Sequence, residues 1–303
     1  MHRRGFLQLS TAAAGLAARA DAPMPMVTLG KSGLRASRFC LGGYHMGKNG
    51  EENGIRIIRR AVELGVNFFD SAWLYNNGAS DEIYGKALSG DQRHKVLLMG
   101  KAEKRTGAEA MRQLEDTLRR MRTDYLDLWQ CHQVTTMQEV DRILAPGGSL
   151  EAFVRAKQQG KARHIGFTGH RDPAIHQRLL NAFDGWETVQ HPVNLIDPHH
   201  QSFIRSVLPN IRRKGLGLIA MKTNAFGNIL KNRIATIPEC LRFALSQDVD
   251  VVVSGVETVE QLDANVAVVK SFRPMTEKEM AALLERTKKG PIGESIEQYK
   301  RNA

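Results

Sequence analysis

Short apolar runs alternate with longer segments of helical period from about residue 26 onward. Runs of this kind, each followed by an amphipathic segment, predict buried parallel strands with crossover helices. Eight such units predict one closed (β/α)8 TIM barrel, with an open doubly wound sheet as the alternative. The predicted strands are 39–42, 66–70, 96–99, 125–130, 165–168, 188–190, 216–221 and 250–254. The predicted helices are 52–64, 80–88, 107–121, 149–159, 173–183, 202–213, 236–247 and 258–269.

Three segments fall outside this repeat. Residues 26–38 contain a Lys-Ser-Gly turn and predict a hairpin placed to cover the floor of the barrel. The stretch 133–148 is the longest insertion after a strand and is a candidate wall of the substrate pocket. We assign 26–272 to the single barrel domain, and 273–303 to a C-terminal helix and tail that could reach the mouth.

The first 20 residues have the layout of an export signal. Arg3-Arg4 is followed by Phe6-Leu7, a modest apolar stretch and small residues, which is typical of a twin-arginine signal peptide. Ala18-Arg19-Ala20 predicts cleavage after Ala20, and an amphipathic N-terminal helix is the alternative. We therefore expect the twin-arginine machinery as a partner and a periplasmic or otherwise exported protein, or a cytoplasmic one if the leader is not used. No later stretch is apolar over 18 residues, so no membrane span is expected after cleavage.

Charge and cysteine content exclude several classes of function. The formal net charge is +11, but the basic pairs lie late in separate helical segments, where cations suit the helix dipole, so no nucleic-acid partner is expected. The three cysteines, Cys40, Cys131 and Cys240, are widely spaced in apolar surroundings and form no CxxC motif. They predict buried thiols, with no metal site.

Polar residues at the ends of three successive predicted strands carry the candidate chemistry. Asp70 ends the second strand, Lys101 follows the third, His132 follows the fourth, and Tyr75 lies in the loop after Asp70. In a barrel of this kind, active sites lie at the carboxyl ends of the strands. Taken singly, each residue has an ordinary structural explanation, such as a helix cap, a surface charge or rim packing. All four in order at consecutive strand ends indicate a site.

The four residue types suit proton transfer to an oxygen. A free tyrosine has a pKa of about 10, and a neighbouring ammonium is expected to lower it. A carboxylate fixes the ammonium, and an imidazole can orient a carbonyl oxygen. We therefore expect reduction of a carbonyl group, with hydride delivered by a cofactor.

The chain resembles the aldo-keto reductase family over nearly all of 26–270. The matching stretches are LGKSGLRASRFCLGG, GVNFFDSAWLYNNGASDEIYGKAL, LRRMRTDYLDLWQCH, GKARHIGFTGH and VVVSGVETVEQLDANV. The resemblance implies Tyr75 as proton donor, Lys101 and Asp70 as its tuning pair, and His132 as the residue that orients a small carbonyl substrate. It also implies a nicotinamide cofactor bound without a Gly-rich Rossmann turn, and no GxGxxG follows any strand here.

The same resemblance assigns cofactor positions. It places Gln190 at the nicotinamide amide, with Thr168 beside it. Gly169 stands where the family commonly has asparagine, and His170 could substitute for it. Met221 stands where the family commonly has an aromatic ring. Lys222 is expected at the pyrophosphate. The remaining cofactor-binding assignments are Gly43, Gly255, Thr258, Gln261 and Asn265. NADP is the expected cofactor. NAD is the alternative, since Glu257 and Gln261 stand where several relatives carry cations for the 2′-phosphate.

One competing function remains at this stage. A regulatory or scaffold protein could bind a nicotinamide nucleotide on the same fold without turning it over, and fold alone does not separate the two. The residues do not predict the identity of the carbonyl substrate, nor how an exported protein would obtain a cofactor whose soluble pools are cytoplasmic.

Overall fold

The computed structural model describes residues 22–301. The predicted signal peptide and its cleavage site lie outside the described residues. Within the described part of the chain, no helix is both long and apolar enough to cross a membrane.

Eight parallel strands close into a barrel in which the last strand pairs with the first, so the open-sheet alternative is wrong. They follow a short antiparallel pair, β1 and β2. The strands are β1 Met26–Thr28, β2 Arg35–Ser37, β3 Phe39–Gly42, β4 Phe68–Asp70, β5 Leu97–Ala102, β6 Leu126–Cys131, β7 Ala162–Thr168, β8 Thr188–Pro192, β9 Gly217–Met221 and β10 Val251–Ser254. The order around the barrel is β10-β3-β4-β5-β6-β7-β8-β9.

Burial on both faces explains why these strands lack polar alternation. One apolar cluster fills the barrel, and a second, larger cluster packs between the strands and the surrounding helices. The inner cluster includes Cys40, Phe68, Met99, Leu128, Ile219 and Val251. All three cysteines are free and buried, as predicted. This packing leaves polar side chains to the ends of the strands, where the candidate site lies.

Twelve α-helices surround the barrel in the described residues. They are α1 Glu51–Glu63, α2 Ala79–Leu88, α3 Gly107–Met121, α4 Met137–Leu144, α5 Ser149–Gln158, α6 Pro173–Ala182, α7 Phe203–Ser206, α8 Leu208–Arg213, α9 Asn228–Lys231, α10 Ile237–Ser246, α11 Val259–Lys270 and α12 Glu277–Lys288. The segment predicted as one helix over 202–213 is two short helices that meet at Val207, and Pro209, which has no amide hydrogen to donate, lies in the first turn of the second.

The insertion 133–148 contains a helix that the sequence pattern did not reveal. Helix α4 begins with a reciprocal capping box between Thr136 and Glu139, and it buries Val140 and Ile143 in the outer core. None of the residues lining the main cleft belongs to 133–148. The expectation that this insertion walls the substrate pocket stays a prediction.

The hairpin lies where it was predicted. β1 pairs antiparallel with β2, and Leu29 in the connecting turn packs into the inner cluster. The amide of Lys31 donates to the carbonyl of Gly215, just before β9, at 2.7 Å. The hairpin therefore closes the amino-terminal end of the barrel. The carboxyl-terminal end stays open to the loops that carry function.

Candidate active site

Asp70 and Lys101 form a buried ion pair at the carboxyl end of β4 and β5. Their side chains are only 4% and 1% exposed, and Nζ of Lys101 contacts Oδ1 of Asp70. The same ammonium donates to the carbonyl of Ser71 at 2.8 Å. Burial lowers the pKa of Lys101 to about 7; the thiol of Cys40 opposes this shift and the charge of Lys222 adds to it. The site therefore holds its cation close to the point of deprotonation at neutral pH.

Tyr75 lies over this ion pair. Nζ of Lys101 is 5.1 Å from the centre of the Tyr75 ring, and the loop leading to it is fixed by main-chain bonds from Ser71 to Met99 and from Trp73 to Lys101. Burial raises the pKa of Tyr75, and nearby acidic groups add to the shift. The expectation of a lowered pKa is therefore wrong, because desolvation of the phenolate dominates the shift. The phenol stays protonated at neutral pH, which is the form that donates a proton.

His132 completes the group from one residue beyond β6. Its amide donates to the carbonyl of Ala102 at 2.8 Å, and its ring centre is 5.7 Å from that of Tyr75. Arg105 donates to the carbonyl of His132 at 2.9 Å. Burial, followed by the charge of Lys101, holds the pKa of His132 well below its ordinary value. The imidazole is therefore neutral, and its buried Nδ1 has no hydrogen-bond partner among residues 22–301.

A cleft of about 930 Å³, counted to its open mouth, lies beside these groups. Asp70 and Tyr75 line it, and Lys101 lies buried directly behind Asp70. Five of the residues assigned to the cofactor from sequence also line this cleft: Gly43, Gln190, Met221, Lys222 and Gly255. Their convergence with the proton-transfer group is the main feature of the site.

Gln190 joins the cleft to the ion pair. Its Nε2 donates to Oδ2 of Asp70 at 3.0 Å, whereas its buried Oε1 has no partner in the described part of the chain. Thr168 pairs with Gln190 across the β7–β8 ladder, and the amide of Gly169 donates to the carbonyl of Gln190. Thr168 and Gly169 are buried behind the cleft and do not line it.

Gly169 stands where the resemblance predicts an asparagine, and the structure leaves no room for that side chain. A Cβ there would lie 2.7 Å from the His176 ring and 2.8 Å from the carbonyl of Val134. His170, the candidate substitute, packs its ring against Tyr299 at 5.5 Å between centres.

In the segment after β10, the polar side chains form hydrogen bonds with neighbouring residues of the same segment and of β10. Thr258 caps α11 through the amide of Gln261, and the side chain of Gln261 accepts from the amide of Glu257 at 2.8 Å. Asn265 donates to Ser254, a residue of the cleft wall, at 3.1 Å. Thr258, Gln261 and Asn265 therefore lie next to the cleft but do not line it.

Glu257 is partly neutralised by basic groups of the β3–α1 connection. Its Oε1 lies 3.0 Å from Nδ1 of His45 and 3.5 Å from Nζ of Lys48. The hydrogen bond from His45 is the main reason that the pKa of Glu257 is lowered. The carboxylate is therefore charged at neutral pH beside the segment expected to meet the adenosine.

Sequence reasoning missed the aromatic rim of the cleft. Tyr44 and Phe226 are both exposed at its edge, with ring centres 6.3 Å apart. Lys222, Ala225 and Phe226 have positive φ angles of 54°, 51° and 59°, a conformation held only by surrounding contacts. One such contact is the ammonium of Lys222, 3.7 Å from the centre of the Phe226 ring. In the sequence, this rim was indicated by the long interval between the seventh predicted strand and the helix after it, because loops at that end of a barrel build active sites.

The C-terminal tail reaches the mouth. Tyr299 lies 6.1 Å from Phe226 between ring centres, and Nζ of Lys222 is 5.2 Å from the Tyr299 ring. Within residues 22–301, no cluster of three or more His, Cys, Asp or Glu side chains could hold a metal ion.

Comparison with known proteins places this site in a family. The model of the "Aldo/keto reductase family" matches residues 38–238. The Bacillus subtilis (strain 168) protein called "Uncharacterized oxidoreductase YrpG" is 33% identical over 229 residues, which are 67% of this chain and 68% of the relative. The L-galactose dehydrogenase of Arabidopsis thaliana is 26% identical over 309 residues, covering 86% of this chain and 94% of its own.

Solved structures agree on the fold. The holo form of aldo-keto reductase AKR11C1 from Bacillus halodurans superposes with a TM-score of 0.74 at 24% identity, covering 92% of this chain and all of the other. An aldo-keto reductase from Klebsiella pneumoniae in complex with NADPH gives 0.72 at 22% identity, covering 86% and 94%. The chain belongs to the aldo/keto reductase family, and the Bacillus subtilis relative is named an oxidoreductase.

Proposed function

We propose that this protein reduces an aldehyde or ketone with NADPH, and that Tyr75 is the general acid. The observation that carries the proposal is the buried Lys101–Asp70 pair beneath a protonated Tyr75, at the edge of a cleft that could accept a dinucleotide. Oxidoreductase relatives and the NADPH-bound structure from Klebsiella pneumoniae support the same reaction.

Each residue has a role that follows from its protonation state. The cofactor, when bound, supplies hydride to the carbonyl carbon. The neutral phenol of Tyr75 gives its proton to the carbonyl oxygen, and the ammonium of Lys101 stabilises the phenolate left behind. Asp70 keeps that ammonium in place. The neutral imidazole of His132 can donate one hydrogen bond to the substrate oxygen and thereby orient it.

The residues in the cleft fit a nicotinamide nucleotide. The unpaired Oε1 of Gln190 is an acceptor that a carboxamide would satisfy, and Lys222 offers a cation to the pyrophosphate. Gly43 and Gly255 leave no space for side chains, since a Cβ would lie 2.4 Å from the carbonyl of Asp70 and 2.3 Å from the His45 ring, respectively. Thr258, Gln261 and Asn265 would hold the adenosine end through the segment they order. NADP is the proposed cofactor and NAD the alternative, because Glu257 disfavours a 2′-phosphate nearby.

Titration of the purified protein with NADPH and NADH, followed by a panel of reactive carbonyls, tests this proposal. Tyr75→Phe should bind NADPH as the wild type does but lose at least about 10²-fold in kcat. Tyr125→Phe is the matched control, because it removes a phenol hydroxyl outside the cleft and should change neither quantity. Unchanged turnover in Tyr75→Phe rules out Tyr75 as the acid. Tight binding without oxidation across the whole panel favours the regulatory or scaffold function.

We also propose that residues 1–20 direct export through the twin-arginine route, which the Arg3-Arg4 pair and the small residues before Ala20 support. A reporter fused after residue 25 should reach the periplasm of a bacterial host. A double change of Arg3 and Arg4 to lysine should stop it. Export that persists in the lysine variant contradicts the route.

A further inference from the structure

A second buried carboxylate lies behind the proton-transfer group. Asp81, on α2, is fully buried and does not line the cleft. It accepts hydrogen bonds from the hydroxyl of Ser71 at 2.5 Å and from that of Thr117 on α3 at 3.0 Å. A buried carboxylate is costly unless it is satisfied, so this arrangement fixes the loop after β4 against two helices.

Ser71 links this carboxylate to the catalytic lysine. While its hydroxyl donates to Asp81, its carbonyl accepts from Nζ of Lys101 at 2.8 Å. Its amide donates to the carbonyl of Met99 at 2.8 Å, so all three polar groups of Ser71 are used. A displacement of Ser71 would therefore move an oxygen that Lys101 contacts.

Arg120 fixes the next part of the same loop. Its Nη1 donates to the carbonyl of Trp73 at 3.2 Å, and its guanidinium lies 5.4 Å from the centre of the Trp73 ring. Gly78 has a φ of 94°, which favours glycine, and its Cα lies against the Arg120 guanidinium. The loop 71–75 is therefore held at two residues before Tyr75, namely Ser71 and Trp73.

The charge of Asp81 also affects the pKa of a residue in the candidate active site. Burial raises the pKa of Asp81 to about 6, while the hydrogen bonds from Ser71 and Thr117 and the charge of Arg120 oppose the shift. Asp81 in turn is one of the charges that raise the pKa of Tyr75. Other charged or titratable groups also face these two residues. Glu82 acts on Asp81, and Tyr44 and Cys40 act on Tyr75. Lys101 and His132 face the Tyr75 ring, and Tyr84 is affected by both Asp81 and Tyr75.

We propose that Asp81 is a positioning residue: it holds the loop 71–75 behind the Lys101 ammonium and acts by its charge on the Tyr75 phenol. This inference rests on the proposed reductase function, because it assigns the means by which the proton donor is held. Asp81 itself touches neither the cleft nor the reacting atoms.

The first test does not depend on turnover. In protein labelled at the tyrosine ζ carbon with ¹³C, the Tyr75 signal, assigned by its loss in Tyr75→Phe, should shift with an inflection near pH 6 as Asp81 titrates. Asp81→Asn, which keeps the shape but not the charge, should lose that inflection. Glu82→Gln removes an exposed charge from the adjacent residue and should keep it. A separate inflection near pH 7, from Lys101, should remain in both Asp81→Asn and Glu82→Gln. An inflection near pH 6 that is unchanged in Asp81→Asn overturns the proposal.

The second test uses kinetics. Asp81→Asn should lower kcat about tenfold with the NADPH Kd unchanged, because the proton donor is displaced while the cleft is intact. Thr117→Val keeps the charge but removes a hydrogen bond that lowers the pKa of Asp81, so the inflection should move to higher pH. Equal kcat in wild type and Asp81→Asn contradicts positioning. If the wild type turns over no carbonyl, the proposed function fails, while the NMR titration still decides the role of Asp81.

Discussion

Gln190 donates from Nε2 to Oδ2 of Asp70 at 3.0 Å. The residue expected to hold the nicotinamide therefore also holds the carboxylate that pairs with Lys101. The proposed cofactor contact and the position of the Lys101 ammonium therefore depend on one hydrogen-bonded network, and a change at Gln190 should affect both.

Gln190→Leu should weaken NADPH binding about tenfold and lower the free energy of unfolding by about 1–3 kcal/mol, since one oxygen of the buried Asp70 loses its donor. Fluorescence titration measures the first effect and urea unfolding the second. Gln247→Leu is the control, because that half-buried side chain follows the end of α10 and lies outside the cleft. If Gln190→Leu behaves like Gln247→Leu in both assays, the shared network contributes neither to NADPH affinity nor to the free energy of unfolding.

The pH profile of reduction should have an alkaline limb near pH 7. The pKa of Lys101 is lowered to about 7, so the side chain is charged below that pH and neutral above it. Stabilisation of the Tyr75 phenolate is therefore present at low pH and lost as the pH rises through this value. The profile of kcat/KM between pH 5.5 and 9 measures the limb. Lys101→Met should lose most of the rate and the limb with it, whereas Lys104→Met, at an exposed position, should keep both. A flat wild-type profile would refute this assignment.

The barrel could be predicted because each strand is buried on both faces and each amphipathic segment follows one. The predicted helix boundaries were less accurate where features other than helix propensity set them. Pro209 divides a helical pattern into two short helices at Val207. Helix α4 was missed although Thr136 and Glu139 have the spacing of a capping box.

The sequence pattern pointed to polar residues at strand ends, which the fold brings together, but not to the rim residues Phe226 and Tyr299. Asp70 and Gln190 project from strands whose register the barrel fixes. Phe226 has a positive φ that no hydrophobic pattern encodes, and Tyr299 arrives from the far end of the chain. The direction of the Tyr75 pKa was also mispredicted, because desolvation depends on burial that only the folded structure reveals.

Gly169→Asn should fail to restore the amide contact common in relatives. Its Cβ would meet the His176 ring at 2.7 Å and the carbonyl of Val134 at 2.8 Å, so the backbone of β7 or α6 must move. Overpacking of this kind costs about 1–3 kcal/mol. Thermal unfolding should therefore show a lower Tm, and NADPH affinity should not improve. The control Gly290→Asn has only one neighbour, a carbonyl at 3.8 Å, and should leave Tm within error. Tighter NADPH binding in Gly169→Asn would show that the site adapts.

The last prediction concerns the C-terminal tail, which is held by buried charges. Lys300 is fully buried; its Nζ lies 2.9 Å from Oδ1 of Asp197 and 2.7 Å from Oε2 of Glu297. Asn194 donates both to Glu297 and to the hydroxyl of Tyr299, each at 2.9 Å. One cation thus balances two carboxylates next to the residue that brings Tyr299 to the mouth.

Lys300→Met should destabilise the protein by about 3–5 kcal/mol at neutral pH, because it leaves two buried carboxylates without a cation. The pKa of Glu297 is already raised by burial, so its carboxylate takes up a proton as the pH falls and the penalty should shrink. Urea unfolding at pH 7.5 and pH 5 measures both values, with the exposed Lys289→Met as control. A penalty that is equal at the two pH values, or absent, would mean that the tail is held by packing alone. Loss of the tail should also expose the cleft at Phe226, which faster proteolysis within 293–301 would reveal.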